Sequence, residues 1–277
     1  MKPDFPDWAN TSGDIWARRW RDTDRALGAL SPHLLSAVAE AAPGGAFRAF
    51  EVGCGPGSTT IEVAERLPHA SITACDISPA LASIAEHRTA DLPAVRVLRG
   101  DAETLAAAEA PFDLIYSRHG VMFFPDPVRA FRALRMAATP GASLIFSCFQ
   151  AWALNPWASE VAAAAAGRML PAPGREAGGF AFAESDYVFE ILSWSGWIEA
   201  DATPVSFRYF AGEGGVVHAL SFLADLGPAS RVLQSLGEQD RTGALARMRA
   251  VVEQHLDGDR VVFPAAAWIY RASAPQK

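Results

Sequence analysis

Short apolar runs alternate with segments of helical period between Arg48 and Gln150. The runs are RAFEVG (48–53), SITACDI (71–77), VRVLRG (95–100), FDLIYS (112–117) and SLIFSCF (143–149). The segments between them have the apolar spacing of amphipathic helices; one enters through Asp126 as N-cap and Pro127 at the first helical position. Strands that are apolar throughout and separated by helices predict a parallel sheet covered on both faces.

The alternation continues beyond Gln150 and is interrupted twice. Residues 151–184 contain NPW, a run of five alanines and the loop PAPGREAGG (171–179), so they predict an inserted helix followed by a flexible connection. A helix over 186–195, with Ser185 as N-cap, and a strand around 202–210 follow.

A second helical insertion is predicted from Gly214 to about Leu256. Helical spacing is shared by the apolar residues Leu245, Met248, Val252 and Leu256. The segment VVFPAAAWIYRA (261–272) is predicted to be the last strand. We therefore predict a single doubly wound α/β domain over 1–277, with a seven-stranded, mostly parallel sheet whose last strand is antiparallel. Helical lids are expected from residues 1–44, 151–184 and 212–258.

Composition and charge limit the possible partners. The chain has 277 residues, half of them hydrophobic, and a net charge of −7 from 24 basic and 31 acidic residues. Its compact basic cluster, Arg18, Arg19 and Arg21, is interleaved with Trp16 and Trp20 and is typical of the solvated face of an amphipathic helix. Nucleic acid is therefore not expected as a partner.

Targeting signals are not evident in the sequence. The start MKPDFPDWAN lacks the apolar segment of a signal peptide, and the longest uncharged apolar run, Ala142 to Leu154, is shorter than the ~20 residues that cross a bilayer. Cys54, Cys75 and Cys148 are widely spaced and form no CxxC pair. They predict reduced thiols in a cytoplasmic protein, with no disulfide and no metal site.

The stretch EVGCGPGSTT (51–60) is the strongest candidate for a ligand site. It follows the first predicted strand, and in a doubly wound sheet the first strand-to-helix turn is a usual point of ligand contact. Glycines at 53, 55 and 57 permit positive φ and close backbone approach. A dinucleotide fingerprint needs the third glycine three residues after the second, but here it follows after two, and no Gly-Lys-Ser/Thr of a P-loop is present.

Acidic residues surround this loop in the predicted fold. Asp76 lies 19 residues after Gly57, at the end of the second strand, where a carboxylate can accept both ribose hydroxyls of a nucleoside. Asp101 ends the third strand, and Glu51 precedes the loop. Such a pocket is negative and has no cation for phosphate, so it suits a nucleoside that carries positive charge.

These motifs resemble those of a known family. The series EVGCGPG, CDIS, GDAE, FDLIYSRHGVMFF and TPGASLIFSCF is similar to the Rossmann-like, class I S-adenosylmethionine (SAM) methyltransferases, in particular to the branch that resembles ubiquinone/menaquinone C-methyltransferases. The resemblance covers roughly residues 12 to 273. It departs at TPGAS, where the resembling enzymes usually carry a second glycine; this concerns the turn before the fifth strand and not the cofactor site.

The resemblance implies roles for individual positions. Gly53, Gly55 and Gly57 would line the methionine part of SAM, with Asp76 on the ribose hydroxyls and Ile77 on the adenine. Asp101 and Ala102 would meet the adenine edge, and Ser117 would face the amino acid portion. Glu51 and Cys54 complete the expected cofactor-binding set, Cys54 as a small space-filling residue.

His119 is the best candidate for acceptor chemistry, because it directly follows the fourth strand at the mouth of the site. It would act as a base, with an unperturbed pKa near ~6.5, where the acceptor must lose a proton before attack. Tyr187 and His218 are weaker candidates. Trp152 and Trp157 could form a wall for an aromatic acceptor, and Phe123 and Phe124 are expected in the core.

The expected function is methyl transfer from SAM to a small, apolar or aromatic molecule, with S-adenosylhomocysteine as product, by a protein that can form a homodimer. Two alternatives stay open: a SAM-binding protein on the same fold without transferase activity, and a nicotinamide oxidoreductase, which the loop spacing disfavours.

Overall fold

The computed structural model describes residues 7–276, so the predictions for the first six residues of the chain fall outside it. One mixed sheet organises the molecule, in the order β3-β2-β1-β4-β5-β8-β6, with β7 paired to β8. The strands are Phe47–Val52 (β1), Ala70–Asp76 (β2), Val95–Arg99 (β3), Phe112–Arg118 (β4), Ala138–Phe149 (β5), Ile198–Glu213 (β6), Leu256–Asp257 (β7) and Arg260–Ser273 (β8).

Twelve α-helices of the described chain cover or extend this sheet. They are Thr11–Arg18 (α1), Trp20–Leu27 (α2), Ser31–Ala41 (α3), Ser58–Arg66 (α4), Pro79–Arg88 (α5), Ala102–Glu109 (α6), Pro127–Ala137 (α7), Pro156–Ala166 (α8), Ser185–Trp194 (α9), Gly215–Asp225 (α10), Pro228–Gln234 (α11) and Glu238–Gln254 (α12). Short 3-10 turns lie at Val121–Phe123 and Trp152–Leu154.

The sheet has the predicted direction of strands. β1 pairs in parallel with β2 and β4, and β5 continues the parallel set, whereas β8 is antiparallel to both β5 and β6. The mostly parallel sheet with an antiparallel last strand is thereby confirmed. The eighth strand, β7, was not predicted, because two residues are too few to give a pattern.

The strand order reverses beside β1, which has β2 on one side and β4 on the other. At such a switch point the loops that leave the carboxyl ends of adjacent strands diverge, and a crevice opens between them. The loop after β1 and the turn after β4 therefore meet at one place, where the site described below is found.

Helices from three parts of the chain lie near the place where the loop after β1 meets the turn after β4. α2 packs against β6, and α1 packs against α5. The two insertions contact each other, since α8 packs against α11 and α12. Among residues 7–276, no helix combines the length and the apolar character that a bilayer crossing requires.

Three local predictions require correction. Ser185 is the first residue of α9 and not its cap; Glu184 takes the cap position without a side-chain bond. Leu256 lies in β7, beyond the end of α12, and is 47% exposed, so it does not belong to the buried helix face formed by Met248 and Val252. β5 begins five residues earlier than SLIFSCF and turns through Gly141 at φ +75°.

Candidate functional site

The glycine loop adopts the backbone that its sequence suggested. Gly53, Gly55 and Gly57 have φ values of +64°, +56° and +84°. A side chain added at Gly55 would meet nothing within 4 Å, so this backbone is open to a ligand. At Gly57 an added Cβ would lie 3.1 Å from Cβ of Ala85, which shows that this glycine permits close packing of α4 on α5.

Asp76 ties the loop to the end of β2. One carboxylate oxygen accepts a bond of 2.8 Å from the amide of Gly55, and the other accepts one of 2.8 Å from the amide of Ser78. A carboxylate has about four lone-pair sites, so both oxygens keep capacity for a ligand. Burial raises the pKa of Asp76, and the two amide bonds partly oppose this.

Glu51 is almost completely buried under the loop. Its Oε2 accepts hydrogen bonds from Thr60 at 2.5 Å and from the Tyr116 hydroxyl at 3.2 Å. Burial raises the pKa of Glu51 to about 7, against the lowering effect of these bonds and of Arg118. A positive ligand charge nearby would favour the carboxylate form.

The ends of β2 and β3 supply a second wall. Ile77 is 45% exposed although it is apolar, and it lines the cavity described below. Asp101 caps α6 by accepting a bond of 3.0 Å from the Thr104 amide, and it lines the same cavity with Ala102. An exposed isoleucine beside an acidic residue is a suitable surface for a flat ring with polar edges.

One cavity of about 410 Å³ joins the loop to the lids. Of the predicted cofactor-binding residues, those that line it are Glu51, Gly53, Cys54, Gly55, Asp76, Ile77, Asp101 and Ala102. Gly57 and Ser117 do not line it. Ser117 is fully buried and donates a bond of 2.7 Å to the carbonyl of Val52, so it fixes the end of β1.

The other end of the cavity is aromatic. Trp157 of α8 and Tyr209 of β6 stack with ring centroids 4.4 Å apart and an interplanar angle of 8°. The ring centroid of Phe149, at the end of β5, lies 5.1 Å from that of Trp157. Phe222 of α10 also lines this end. Residues from the sheet and from both insertions thus build one apolar compartment.

Several aromatic residues differ from their predicted places. Phe123 and Phe124, expected in the core, are half-buried and pack against it, but they also line the cavity. Trp152 does not line it and packs instead on Phe180, with centroids 5.0 Å apart. Tyr187 and His218 also lie outside the lining.

His119 lines the cavity beside Phe149 and is 6% exposed. Its Nδ1 is 2.9 Å from the Ser147 hydroxyl, whereas its Nε2 is buried without a hydrogen-bond partner in the described structure. Burial, and secondarily Arg118, lower the pKa of His119 to about 3. The imidazole is therefore neutral near pH 7 and a much weaker base than the pKa near ~6.5 assumed from the sequence.

A polar cluster that the sequence did not reveal holds the N-terminal helices onto the loop. Asp24 of α2 accepts from Arg118 at 3.0 Å, from Arg88 at 3.1 Å and from the Ser58 hydroxyl. Arg88 also donates to the carbonyl of Pro56 at 2.7 Å. Asp24 and Arg118 are separated by 94 residues, so no local pattern connects them; the position of Arg118 directly after β4 was the available signal.

The basic cluster near the N-terminus has two kinds of member. Arg18 and Arg21 are exposed, as predicted for a solvated helix face. Arg19 instead donates to Asp225 and to Ser221 of α10 at 2.5 Å each. α2 is thus bonded to the glycine loop through Asp24, and the residue that precedes it, Arg19, is bonded to the second insertion.

The donor set fits a cationic nucleoside. Gly55 offers open backbone, Asp76 offers free lone pairs, and the buried Thr59 hydroxyl has no partner in the described structure although it lies in the cavity wall. A buried polar atom without a partner is costly, so a ligand that pairs with it gains affinity. Sequence reasoning had missed Thr59, which lies two residues beyond the last glycine.

Comparison with known proteins agrees with this geometry. Residues 50–146 match the family described as methyltransferase domain. The malonyl-(acyl-carrier protein) O-methyltransferase of Paenibacillus sp. (strain JDR-2) is 36% identical over 105 residues, 36% of this chain and 38% of the relative. The trans-aconitate 2-methyltransferase of Methylobacterium radiotolerans is 35% identical over 96 residues, 35% of each chain. The chain thus spans less than two fifths of the length of these relatives.

Solved structures of similar fold cover more of the chain. The (4+2)-cyclase SpnF aligns with a TM-score of 0.60 at 20% identity, over 97% of both chains. Haemonchus contortus phosphoethanolamine N-methyltransferase 2, in complex with S-adenosyl-L-methionine, aligns with a TM-score of 0.54 at 14% identity, over 96% of this chain and 58% of that one. At these identities the likeness shows the fold alone.

Residues 50–146 therefore match a methyltransferase domain, and the chain shares its fold with a solved SAM-bound methyltransferase. The expected class and its cofactor, SAM, are confirmed. The branch that resembles the quinone C-methyltransferases is not singled out, since the curated relatives named above are methyltransferases for malonyl-(acyl-carrier protein) and trans-aconitate.

Proposed function

We propose that the protein transfers the methyl group of SAM to a small, apolar or aromatic molecule by in-line displacement. The observation that carries the proposal is the continuity of one cavity, which runs from Gly55 and Asp76 to the stacked rings of Trp157 and Tyr209. A cofactor site that opens directly into an aromatic compartment allows two molecules to meet without crossing solvent.

Each wall of the cavity has a task in this reaction. Gly55, Asp76 and Asp101 would hold the nucleoside, and Glu51 with its acidic neighbours favours the positive charge of the ligand. Bound SAM supplies a methyl group on a sulfonium, whose charge is lost as the new bond forms. The protein contributes alignment and exclusion of water, which can supply ~7–11 kcal/mol of the barrier reduction.

A SAM-binding protein without transferase activity is the second candidate. It is favoured by the low pKa of His119, about 3, which leaves the expected base too weak to remove a proton from the acceptor near neutral pH. The two candidates share the cofactor site and differ only in turnover.

Calorimetric titration and mass spectrometry test the proposal. We expect binding of SAM and S-adenosylhomocysteine but not of NAD, and release of S-adenosylhomocysteine together with a methylated product in a screen of aromatic acceptors. The screen includes malonyl and aconitate compounds, which the relatives' names suggest. Binding without turnover on any acceptor class favours the second candidate; preference for NAD refutes both.

Asp76→Ala is the matched variant for the cofactor site. We expect its SAM binding to weaken by about 1.5–3 kcal/mol, the range for hydrogen bonds to a charged group. Because Asp76 also orders the Gly55 amide, the thermal midpoint is measured in parallel. Unchanged affinity in a folded variant would show that the ribose is bound elsewhere.

A further inference from the structure

His119 is held in an uncommon conformation by contacts of its backbone and its ring. Its φ is +61°, in the left-handed region that non-glycine residues rarely occupy. Its amide donates to the carbonyl of Ser147 at 3.1 Å, and its Nδ1 faces the hydroxyl of the same residue at 2.9 Å. Such conformations persist where the surroundings impose them and are found at functional sites.

The environment of Ser147 determines which ring nitrogen carries the proton. Ser147 is fully buried, and within the described structure its hydroxyl contacts Nδ1 of His119. A proton on Nδ1 would leave the hydroxyl hydrogen without an acceptor, which is costly in a buried place. The hydroxyl therefore donates to Nδ1, and the proton of the neutral ring lies on Nε2.

Nε2–H is then a buried donor without an acceptor. It has no hydrogen-bond partner in the described structure, and His119 forms part of the cavity wall next to Phe149, whose ring centroid is 4.2 Å away. A contact with an aromatic ring satisfies an N–H donor only weakly in comparison with an oxygen atom. Nε2 has almost no accessible surface in the free structure, so a ligand oxygen in the cavity would supply the missing acceptor once a small shift of the neighbouring side chains uncovers it.

The charges of the cavity limit what can carry that oxygen. Five acidic side chains are among its described lining residues: Asp7, Asp24, Glu51, Asp76 and Asp101. Among the lining residues that the structure describes, the one guanidinium is that of Arg118, which is already paired with Asp24 at 3.0 Å. A carboxylate would meet repulsion from these acidic side chains, opposed only by the paired Arg118 and the sulfonium of bound SAM, whereas an uncharged molecule would not.

We propose that the aromatic end of the cavity binds an uncharged ring compound through a carbonyl or ether oxygen that accepts a hydrogen bond from Nε2–H of His119. His119 thus binds the acceptor as a neutral donor and does not act as a base. The inference rests on the proposed function, because only a methyltransferase has a methyl acceptor. The tests below distinguish failure of the inference from failure of the proposed function.

The first test measures the tautomer without any acceptor. Long-range ¹H–¹⁵N correlation spectra of ¹⁵N-histidine-labelled protein, saturated with S-adenosylhomocysteine, show which ring nitrogen of His119 is protonated; His119→Gln identifies its signals among the six histidines. We expect protonation at Nε2, and a mixture of tautomers in Ser147→Ala. Protonation at Nδ1 in the parent overturns the inference.

The second test measures the hydrogen bond with a pair of probes. Tetralin and 1-tetralone have the same two-ring frame and differ by one carbonyl oxygen. We expect 1-tetralone to bind the complex with S-adenosylhomocysteine about 3- to 10-fold more tightly than tetralin, as one net hydrogen bond provides. The carboxylate 1,2,3,4-tetrahydro-1-naphthoate is expected to bind more weakly than 1-tetralone.

Two substitutions at one position assign the preference. His119→Gln keeps an N–H near the place of Nε2 and should retain the preference for 1-tetralone. His119→Asn tolerates the left-handed φ but ends near Nδ1, so it should bind both probes equally. Binding of S-adenosylhomocysteine by each variant shows that the fold is kept.

The outcomes separate the hypotheses. Equal binding of the two probes to the parent, binding of neither, or tighter binding of the carboxylate overturns the inference. Loss of the preference in Tyr209→Phe, with retention in His119→Asn, assigns the oxygen to Tyr209 and also overturns it. Failure of the parent to bind S-adenosylhomocysteine contradicts the proposed function itself.

Discussion

At the scale of single residues, Gly55 and Gly57 occupy one loop and serve different purposes. Alanine at either position takes up a left-handed conformation at a cost of about 1–2 kcal/mol. At Gly55 the new methyl group contacts no protein atom but occupies the cavity. We therefore expect Gly55→Ala to weaken SAM binding at least about tenfold while lowering the unfolding free energy only by the strain.

Gly57→Ala is the control for that variant. Its methyl group would lie 3.1 Å from the side chain and 3.2 Å from the backbone of Ala85, so helix packing must shift. We expect a loss of unfolding free energy about 1–3 kcal/mol greater than in Gly55→Ala, from overpacking. Denaturant midpoints and titration with SAM compare the two; equal stability losses would contradict the assignment of Gly57 to helix packing.

A second residue-scale prediction concerns Glu51 and pH. Its pKa is about 7 in the folded protein and near the model-peptide value of ~4.3 in the unfolded chain. The folded state therefore holds its proton to higher pH, and stability falls as pH rises from about 4.5 to about 7, then becomes level. Glu51→Gln keeps a neutral side chain at all these values and should lose this dependence.

Urea unfolding of both proteins between pH 4.5 and 8 measures the effect. The unfolding free energy of Glu51→Gln should exceed that of the parent by an amount that grows with pH up to about 7. Asp76 and Glu62 have raised pKa values too and remain in both proteins, so only the difference between the two curves reports on Glu51. Parallel curves would show that folding does not raise the pKa of Glu51.

The sequence was sufficient to predict cavity residues that belong to a short, continuous motif. The glycine loop and Asp76 follow adjacent strands, β1 and β2. Gly53, Gly55 and Asp76 all line the cavity. Ser117 and Gly57 do not, because sequence spacing cannot show whether a side chain faces a ligand or a neighbouring element. The pKa of His119 could not be predicted either, since it depends on burial by residues distant in the chain.

At the scale of secondary structure elements, a largely buried cluster around Asp24 helps to attach α2 to the sheet, beside the ion pair of Arg25 with Glu213 of β6. Asp24 pairs with Arg118, whose side chain is only 9% exposed, and with Arg88. Removal of one partner of a buried pair leaves the other charge uncompensated, so we expect Asp24→Ala to lower the unfolding free energy on the order of 3 kcal/mol. SAM binding should weaken as well, because Ser58 and Pro56 belong to the same network.

Asp225→Ala, at the end of α10, provides the comparison, because it removes an ion pair to the residue that precedes α2. Its partner is Arg19, and its own side chain is 47% exposed, so the expected loss is below about 1 kcal/mol. Both losses are measured from denaturant midpoints. If the two substitutions cost the same, the attachment of α2 does not depend on the Asp24 cluster.

Elements were predicted well where periodicity is long and poorly where a boundary depends on one residue. The N-cap Asp126 was predicted because its side chain bonds to the amide three residues on, and the structure shows that bond to Arg129 at 3.0 Å. Ser185 satisfied the same sequence rule but became the first helical residue. β6 and β8 are both longer than the predicted strands, because they pair with each other along their whole length. Such pairing between distant segments cannot be inferred from either segment alone.

At the scale of the whole molecule, the cavity is closed by segments that are distant in sequence. Residues of α1 and α2, of α8, and of the segment from Phe222 to Gly227 all contribute to its wall. The predicted lid loop from Pro171 to Gly179 does not line the cavity, but the amide of Gly178 donates to the carbonyl of Met122, which does. This loop therefore contacts a residue of the cavity wall without lining the cavity itself.

That arrangement gives a graded prediction for ligand closure. Elements that close over ligands come from the less stable part of a fold, so their amides should exchange rapidly in the free protein. With S-adenosylhomocysteine and 1-tetralone bound, we expect exchange to slow most in residues 7–27 and 222–227, which contact the cavity directly. A smaller slowing is expected in 171–179, which reaches it only through Met122.

Hydrogen exchange followed by mass spectrometry, with occupancy confirmed by titration, compares the free and liganded protein. Unchanged exchange in all three segments would rule out closure, whereas slowing confined to 171–179 would show that this loop, and not the N-terminal helices, is the lid.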